Sequence, residues 1–500
     1  MDRAPRSRAA RPFTMARPAM ALIASLWSLC ALAAAPGAGY TVGGTISGLD
    51  APGLVLASGA QTLSVASGAT SFTFPGALAD GSAYAVVVTD SPAGLDCNVA
   101  ANGFGRIAGA NITTVAIACV ANAPGNDVLY SFAAGSAAPL DGRNPRAALI
   151  QARDGHFYGT TFAGGEAGLG TLFRLTLSGR ETVLYSFAGQ SKSDGANPTA
   201  ALIQASDGNF YGATLIGGKA NTGTIFRFTP AGKYTLLHAF EHTGSGGNFG
   251  GISRLVEGRD GALYCATILG GRNGTGTILR IARTGKVEII YEFGPMHSGD
   301  GGNPQGPLLQ ARDGYLYGTT VQGGANQTGT VYRIDPTTGS YATVYSFGPA
   351  GSGDGAGPYS GLLETQAGRF YGMTGSGGSA NQGAVFQVLT GANTGTTESV
   401  VYSFQGLGSG DGRVPVGELI LGRDGFLYGT TAIGGANGVG VLFRLNTAGV
   451  ESVVHAFGGL LQQDGAVPGG GPIQGEDGAL YGTTSNGGSS NQGTVYRILP

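Results

Sequence analysis

The sequence is poor in the residue types that mark catalytic and metal sites. Its 500 residues contain five histidines, four cysteines and one tryptophan, and charged residues amount to 12 %. No cluster of histidines has metal-ligand spacing, and no Gly-x-Ser-x-Gly element marks a hydrolase nucleophile. The sequence therefore gives no local sign of catalysis, although a closed fold could still bring distant carboxylates to the ~5–10 Å separation that glycoside hydrolysis uses.

Long apolar runs are also scarce, and the most extended one lies near the start. Residues 21–35 read ALIASLWSLCALAAA, after five arginines and before small residues. This is the order of a secretory signal, and the run is shorter than the ~20 residues of a membrane span. We assign residues 1–39 to a signal peptide, with synthesis starting at Met1 or Met15, and expect a secreted protein, extracellular or periplasmic.

Positive charge is not in excess. Losing residues 1–39 would remove Asp2 and five arginines, leaving 23 basic and 29 acidic side chains and a net charge of −6. A mildly acidic protein without a basic stripe is a poor nucleic-acid binder. We expect no nucleic-acid partner, no membrane span in the mature chain, and a monomer.

Three cysteines remain after residue 39. Cys97 and Cys119 lie in one small module, and exported proteins meet an oxidising compartment, so we expect a disulfide between them. Cys265 replaces a glycine of a recurring motif and is expected to be a buried lone thiol.

Glycine, in contrast, is abundant, with 94 residues that punctuate two different patterns. Residues 40–122 hold seven short β-forming runs, separated by Gly, Ser, Asp and Asn about every ten residues. This pattern predicts a small β-sandwich module, transthyretin-like or immunoglobulin-like. Residues 123–127 are the expected linker.

From Val128 onward the chain repeats one unit. The motif DGHFYGTTFAGG (154–165) recurs, and its tyrosine falls at intervals of 53 to 57 residues: Tyr158, Tyr211, Tyr264, Tyr317, Tyr371, Tyr428 and Tyr481. Each unit holds four candidate strands, which in the first unit span 147–151, 156–161, 170–175 and 182–187. Four short strands in a period near 50 predict a blade of a kelch-like β-propeller, because solenoid repeats are typically shorter.

The two ends of the array are fragments of one unit. The array begins with VLYSF (128–132), a fourth strand without the other three, and ends with GTVYRILP (493–500), a third strand without a fourth. If the first strand completes the last unit, no sheet edge is left unpaired at the junction. The expected fold is all-β: a seven-bladed β-propeller of four-stranded blades over 128–500, closed by strand 128–132 and preceded by the β-sandwich module.

Two side chains of the unit disappear together. Six units carry an aspartate between strands one and two and an arginine in strand three, whereas the fifth carries Ala367 and Gln387. Since an arginine among buried strands needs a partner, we expect six structural ion pairs: Asp154–Arg174, Asp207–Arg227, Asp260–Arg280, Asp313–Arg333, Asp424–Arg444 and Asp477–Arg497.

Polar loops gather on one face of the expected propeller. A candidate binding face comprises Asp141, Asp194, Asn221, Asn248, Asp300, Asn326, Asp354, Asn381, Asp411, Asp464 and Asn491. Such a face suits a glycan, a peptide or calcium. The alternative is that Asp-Gly and Asn-Gly only cap turns, and their recurrence in nearly every unit favours that alternative.

The repeat LIQARDGHFYGTTFAGGEAGLGTLFRLTLSGRETVLYSF resembles the GloVer tandem repeat of bacterial exported "choice-of-anchor" proteins, and the resemblance covers residues 128–500. It implies a bacterial secreted or surface protein and no defined activity.

The function that the sequence favours is a non-enzymatic binding or surface-interaction scaffold. Its partner would be a glycan or protein ligand at the cell surface, and no cofactor other than calcium is suggested. One alternative is a propeller hydrolase or lyase that acts on polysaccharide through Asp and Tyr side chains around the axis. Another is a purely structural envelope component.

Overall fold

The computed structural model describes residues 39–90, 92, 95–121, 128–133, 141–241, 251–295, 297–391, 395–406 and 408–500. The expected signal peptide up to residue 38, the expected linker 123–127 and Asn248 lie outside these residues. Within these ranges the structure is all-β apart from a 3-10 turn at Gly189–Lys192 and a helical turn at Gly459–Gln462. Nowhere in the described ranges does a helix reach the length and apolarity needed to cross a membrane.

The N-terminal region consists of two four-stranded sheets around one core. The first has the order β4-β1-β8-β6 and the second β3-β2-β5-β7. Leu54 and Leu56 of the second sheet share a buried cluster with Val115 and Ile117 of the first. The eight strands are β1 (Val42–Ser47), β2 (Leu54–Ser58), β3 (Gln61–Val65), β4 (Ser71–Thr73), β5 (Ala83–Asp90), β6 (Leu95–Ala101), β7 (Phe104–Arg106) and β8 (Ile112–Ala121).

This region differs from the sequence expectation by one strand. We expected seven strands, and the additional one is Phe104–Arg106, which pairs with Ala83–Ala85. Its three residues are too few to show an alternating pattern. Cys97 and Cys119 face each other across β6 and β8 and form the expected disulfide, which is confirmed.

The repeat region is built from a series of antiparallel sheets, one for each unit. Units 1 to 3 contain β11 (Ile150–Gln151), β12 (Phe157–Thr161), β14 (Thr171–Leu175) and β15 (Glu181–Ser186); β17 (Ile203–Gln204), β18 (Phe210–Thr214), β20 (Thr224–Phe228) and β21 (Tyr234–Ala239); β22 (Val256–Glu257), β23 (Leu263–Thr267), β24 (Thr277–Ile281) and β25 (Val287–Glu292). Units 4 to 6 contain β27 (Leu309–Gln310), β28 (Leu316–Thr320), β30 (Thr330–Ile334) and β31 (Tyr341–Ser346); β33 (Leu363–Gln366), β34 (Arg369–Thr374), β36 (Ala384–Gly391) and β37 (Gly395–Ser403); β38 (Gly412–Leu421), β39 (Leu427–Gly434), β40 (Val441–Leu445) and β41 (Glu451–Ala456).

Unit 7 joins the two ends of the array. It contains β42 (Ala466–Pro468), β43 (Ile473–Gln474), β44 (Leu480–Asn486), β45 (Thr494–Ile498) and, from the start of the array, β9 (Val128–Ser131). Strand β9 runs antiparallel to β45, with Tyr130 opposite Val495. The Thr483 hydroxyl of unit 7 also donates a hydrogen bond to the Ala147 carbonyl of unit 1. The first and last units are therefore neighbours.

Short two-stranded ribbons join the loop before the first strand of a unit to the loop after its second strand. Gly142 of the former loop pairs with Gly164 of the latter, and the same pairing recurs in later units. The ribbons are β10 (Gly142–Arg143) with β13 (Ala163–Gly164), β16 (Gly195–Ala196) with β19 (Ile216–Gly217), β26 (Gly301–Gly302) with β29 (Gln322–Gly323) and β32 (Gly355–Ala356) with β35 (Ser376–Gly377).

The second and third strands of each unit are buried on both faces. In unit 1, FYGTT is buried throughout and TLFRL is buried except at the arginine. Aromatic rings stack between neighbouring units, as Tyr158 does on Phe210 (4.3 Å between centroids). A single sheet of this kind cannot bury both faces alone, so the sequence repeats the unit until each sheet has neighbours.

The glycine of the YGTT motif makes room for an aromatic ring. A Cβ atom at Gly159 would lie 2.6 Å from Cζ of Phe173 in strand three. Unit 3 has the opposite combination. Cys265 replaces the glycine, and the residue opposite it is Leu279, whose side chain is smaller than an aromatic one. The expected burial of Cys265 as a free thiol is confirmed.

Candidate ligand-binding site

The aspartate of each DG turn binds the motif tyrosine of its own unit. In unit 1 the Tyr158 hydroxyl donates a 2.6 Å hydrogen bond to Asp154, four residues earlier. The same bond recurs in five other units, between 2.6 and 2.9 Å: Tyr211–Asp207, Tyr264–Asp260, Tyr317–Asp313, Tyr428–Asp424 and Tyr481–Asp477. Sequence reasoning missed this bond, although the constant DGxxY spacing is its signal.

The predicted aspartate–arginine pairs form directly in two of the six units. Arg280 lies 2.8 Å from Asp260, and Arg497 lies 2.9 Å from Asp477. In the described residues the other four predicted pairs, Asp154–Arg174, Asp207–Arg227, Asp313–Arg333 and Asp424–Arg444, are not salt bridges. In all six units the arginine lies directly opposite the motif tyrosine, and that tyrosine hydroxyl binds the aspartate, so strand register does not distinguish these four units from the two with a salt bridge.

The fifth unit keeps the tyrosine and replaces its partner. Gln387 stands where other units have the arginine, and its amide donates to the Tyr371 hydroxyl. The tyrosine therefore contacts both positions that differ in this unit or their counterparts in other units. The tyrosine hydroxyl is the centre of the cluster.

The aspartates of the candidate binding face are occupied by their own loops. Asp194 is 3 % exposed and accepts hydrogen bonds from the Tyr185 hydroxyl (2.8 Å) and from the backbone of Ala188 and Gly195. Five more aspartates bind a strand-four side chain in the same way: Asp141 binds Tyr130, Asp300 binds Tyr291, Asp354 binds Tyr345, Asp411 binds Tyr402 and Asp464 binds His455. These carboxylates hold turns, as the alternative interpretation has it.

The asparagines of the same face also cap turns. Asn221 adopts φ 58° and accepts a hydrogen bond from Gly217, and Asn381 and Asn491 repeat this arrangement with Gly377 and Gly487. Asn326 donates instead to the Phe347 carbonyl. Over the described residues, no three His, Cys, Asp or Glu side chains are grouped so that they could hold a metal ion.

Half-buried glutamates lie beside three of these turn aspartates. Burial, followed by the charge of Asp141, raises the pKa of Glu181 to about 8. Burial and the neighbouring Asp354 raise the pKa of Glu398 to about 7. Glu451, next to Asp411, behaves in the same way and also has a pKa of about 7. These carboxyls are held partly protonated near neutral pH.

A separate cavity of about 320 Å³ lies where the first strands of the repeat units converge. Residues from all seven units line it, so we call it the axial cavity. Two positions of the unit contribute most of its side chains. The first directly follows the proline of NPRAALIQ, and the second lies two residues later.

These two positions differ from unit to unit. At the first, units 1 to 7 carry Arg146, Thr199, Ile252, Gln305, Tyr359, Val416 and Gly469. At the second they carry Ala148, Ala201, Arg254, Pro307, Gly361, Glu418 and Gly471. Sequence reasoning missed this site, and the signal that would have found it is a position-by-position comparison of the units.

A bidentate ion pair crosses the axial cavity. Arg254 of unit 3 donates from Nε to Glu418 of unit 6 at 3.0 Å and from Nη2 at 2.6 Å. The two side chains are 27 % and 32 % exposed, and Glu418 raises the pKa of Arg254. Two charged side chains that lie 164 residues apart in the sequence therefore hold each other in place across the cavity.

The remaining polar groups of the axial cavity are not consumed in this way. The Arg146 guanidinium lies 3.7 Å above the ring of Phe162, and Tyr359 is 45 % exposed. Gln305 and Thr199 also line the cavity. Charge, amide, hydroxyl and aromatic groups thus line one open cavity, as in a small-molecule site.

Comparison with known proteins identifies the repeat. The model of the Gloeobacter/Verrucomicrobia repeat family matches residues 109–306 and 251–496, which confirms the resemblance seen in the sequence. No curated protein matches the chain.

Several solved structures resemble the chain at low identity. A 6-phosphogluconolactonase-type protein of Bacteroides fragilis is 18 % identical, covers 65 % of this chain and 86 % of its own, and gives a TM-score of 0.42. The periplasmic gluconolactonase of Pseudomonas aeruginosa is 18 % identical over 66 % of this chain and 92 % of its own, with a TM-score of 0.40. An extracellular domain of a two-component system of B. thetaiotaomicron is 11 % identical over 75 % and 40 %, with a TM-score of 0.48.

Proposed function

We propose that this chain, which belongs to the Gloeobacter/Verrucomicrobia repeat family, is an exported binding protein whose ligand occupies the axial cavity of a closed, seven-bladed β-propeller. Pairing of β9 with β45 supports the closure, and the lining of the cavity by all seven units supports the ring. Residues 40–122 form a β-sandwich that serves as a spacer or docking module. Export through a signal peptide at 1–39 agrees with the disulfide Cys97–Cys119.

One observation carries the proposal: the aspartates that recur are hydrogen-bonded inside the scaffold, and the side chains that vary line the cavity. Asp194 and its counterparts accept hydrogen bonds from their own units. Arg146, Gln305 and Tyr359 occupy equivalent positions and share no chemistry. A scaffold needs the same residue in every unit, whereas a site needs different ones.

Glycan and peptide arrays test the proposal. The secreted form would be compared with Thr199→Tyr, which narrows the cavity with a side chain that unit 5 already carries at the equivalent position as Tyr359. Lys192→Ala, on an exposed loop, is the matched control. We expect bound ligands to be lost in Thr199→Tyr and kept in Lys192→Ala. Ligands that bind all three proteins equally would contradict an axial site.

A polysaccharide hydrolase or lyase is the second candidate, and the same cavity supports it. Arg146, Arg254, Tyr359 and Glu418 come from four different units and line one cavity. Such convergence is what a catalytic site in a ring requires. Release of reducing ends from polysaccharides, abolished in Glu418→Gln and kept in Lys192→Ala, would favour this candidate over binding alone.

A further inference from the structure

The axial cavity carries one positive charge that the protein leaves unbalanced. Its charged side chains are Arg146, Arg254 and Glu418. Arg254 and Glu418 neutralise each other through two hydrogen bonds. Among the described residues Arg146 forms no ion pair with a carboxylate, in a chain whose net charge is −2. A single anionic group in the ligand would complete this charge balance.

The position of Arg146 suits a planar anion. Its guanidinium lies 3.7 Å over the ring of Phe162, so one flat face is covered, and in the described part of the chain no group accepts a hydrogen bond from its N–H groups. Arginine in this orientation binds carboxylates with two parallel hydrogen bonds. Because Arg254 and Glu418 neutralise each other, Arg146 balances one negative charge, and a dianion such as phosphate would leave its second charge unbalanced.

The rest of the lining suits a hydroxylated body of small size. Gln305 and Thr199 supply an amide and a hydroxyl group, and Tyr359 supplies an exposed aromatic ring. The cavity volume of about 320 Å³ is at the lower end of small-molecule sites. Such a space holds a single sugar ring and excludes a folded peptide.

Resting on the proposed function, we infer that the axial cavity binds a sugar carrying one carboxylate, a uronate that is free or at the end of a glycan, with the carboxylate on Arg146. The ring hydroxyls face the amide and hydroxyl groups of the lining. Phe162 acts as a positioning residue, because it contacts the guanidinium face and not the ligand.

Calorimetric titration tests the inference with D-glucuronate and D-galacturonate, their neutral counterparts D-glucose and D-galactose, and inorganic phosphate. We expect the uronates to bind and the neutral sugars and phosphate to bind at least about tenfold more weakly. Arg146→Gln should lose about tenfold in uronate affinity and leave the weak affinity for neutral sugars unchanged. Arg180→Gln, which removes an exposed arginine from a hairpin of the same unit, is the control and should match wild type.

Three results would overturn the inference. These are equal affinity for uronates and neutral sugars, unchanged uronate affinity in Arg146→Gln, and preference for phosphate over uronates. In each case array ligands that Thr199→Tyr blocks would still support the axial site. If Thr199→Tyr blocks no array ligand, the proposed function itself fails. Arg146→Lys keeps the charge but not the planar fork, and intermediate uronate affinity in this variant would support two-point recognition.

Discussion

The aspartate–tyrosine clusters of each repeat unit, which we call its edges, and the axial cavity differ in how their side chains vary from unit to unit. At the edges, the same aspartate–tyrosine hydrogen bonds recur from unit to unit. In the axial cavity, equivalent positions carry arginine, glutamine, tyrosine or glycine. We attribute a side chain that recurs in every unit to stability, and side chains that vary at one position to recognition. Substitutions at the edges should therefore lower stability, and substitutions in the axial cavity should alter binding.

The largest expected effect is the loss of a buried edge aspartate. In Asp194→Ala the Tyr185 hydroxyl and the backbone N–H groups of Ala188 and Gly195 lose their acceptor. Buried donors without a partner cost about 1–3 kcal/mol each, so we expect a loss of ~3–5 kcal/mol. Thermal unfolding followed by circular dichroism measures it. The Lys192→Ala control should stay within ~0.5 kcal/mol of wild type, and an equally stable Asp194→Ala would refute the structural role.

The second prediction concerns the pH dependence of stability and the three half-buried glutamates. Glu181, Glu398 and Glu451 have folded-state pKa values of about 8, 7 and 7, above the ordinary 4.5. The folded protein therefore holds these protons more tightly than the unfolded chain. Their contribution to stability is complete below pH 4.5 and is lost as pH rises through 7 to 8, by ~1 kcal/mol or more for each carboxyl.

The matching experiment replaces all three glutamates by glutamine, which mimics the protonated form. We expect the melting temperature of wild type to fall between pH 5 and pH 9, and the triple variant to show a flatter profile. The aspartates with lowered pKa, Asp207 and Asp260, act below pH 4 and leave this window unaffected. The same slope in both proteins would rule out these carboxyls as its source.

The third prediction separates stability from recognition on the axis. Arg254→Met leaves the Glu418 carboxylate without its partner and should cost ~2 kcal/mol, less than a fully buried pair because both side chains are partly exposed. Arg254→Met/Glu418→Met should recover most of that loss. Ligand affinity should fall in both variants. If stability and ligand affinity recovered together in the double variant, the Arg254–Glu418 pair would have a structural role only.

The sequence predicts the scaffold well because its signals are local. The DG turn, the YGTT strand and the GTVFR-type strand follow one another within about 20 residues, and their period gives the sheets directly. The first strand was predicted too long, since Ala147 leaves its sheet to accept a hydrogen bond from Thr483 of the last unit. That contact spans 336 residues and has no local signature.

The candidate site was harder to predict for the same reason. Asp141, Asp194 and their counterparts attract attention as a row of carboxylates, and only the structure shows that each is used by its own turn. Arg254 and Glu418 lie 164 residues apart and carry no motif. Sequence reasoning finds residues that recur, whereas the side chains that line the axial cavity differ from unit to unit.

The smallest expected effect comes from restoring the edge rule in unit 5, the one unit without the aspartate and arginine. In Ala367→Asp/Gln387→Arg the new carboxylate would accept the Tyr371 hydroxyl, as Asp260 accepts that of Tyr264, and the new arginine would replace the Gln387 amide. The cluster is partly exposed, so we expect a gain below ~1 kcal/mol, read as a rise of at most a few degrees in melting temperature. Gln387→Arg alone should destabilise, because it brings a cation to the tyrosine without a carboxylate. If the single and double variants were equally stable, tyrosine would not couple the two positions, and the joint loss of aspartate and arginine in this unit would need another cause.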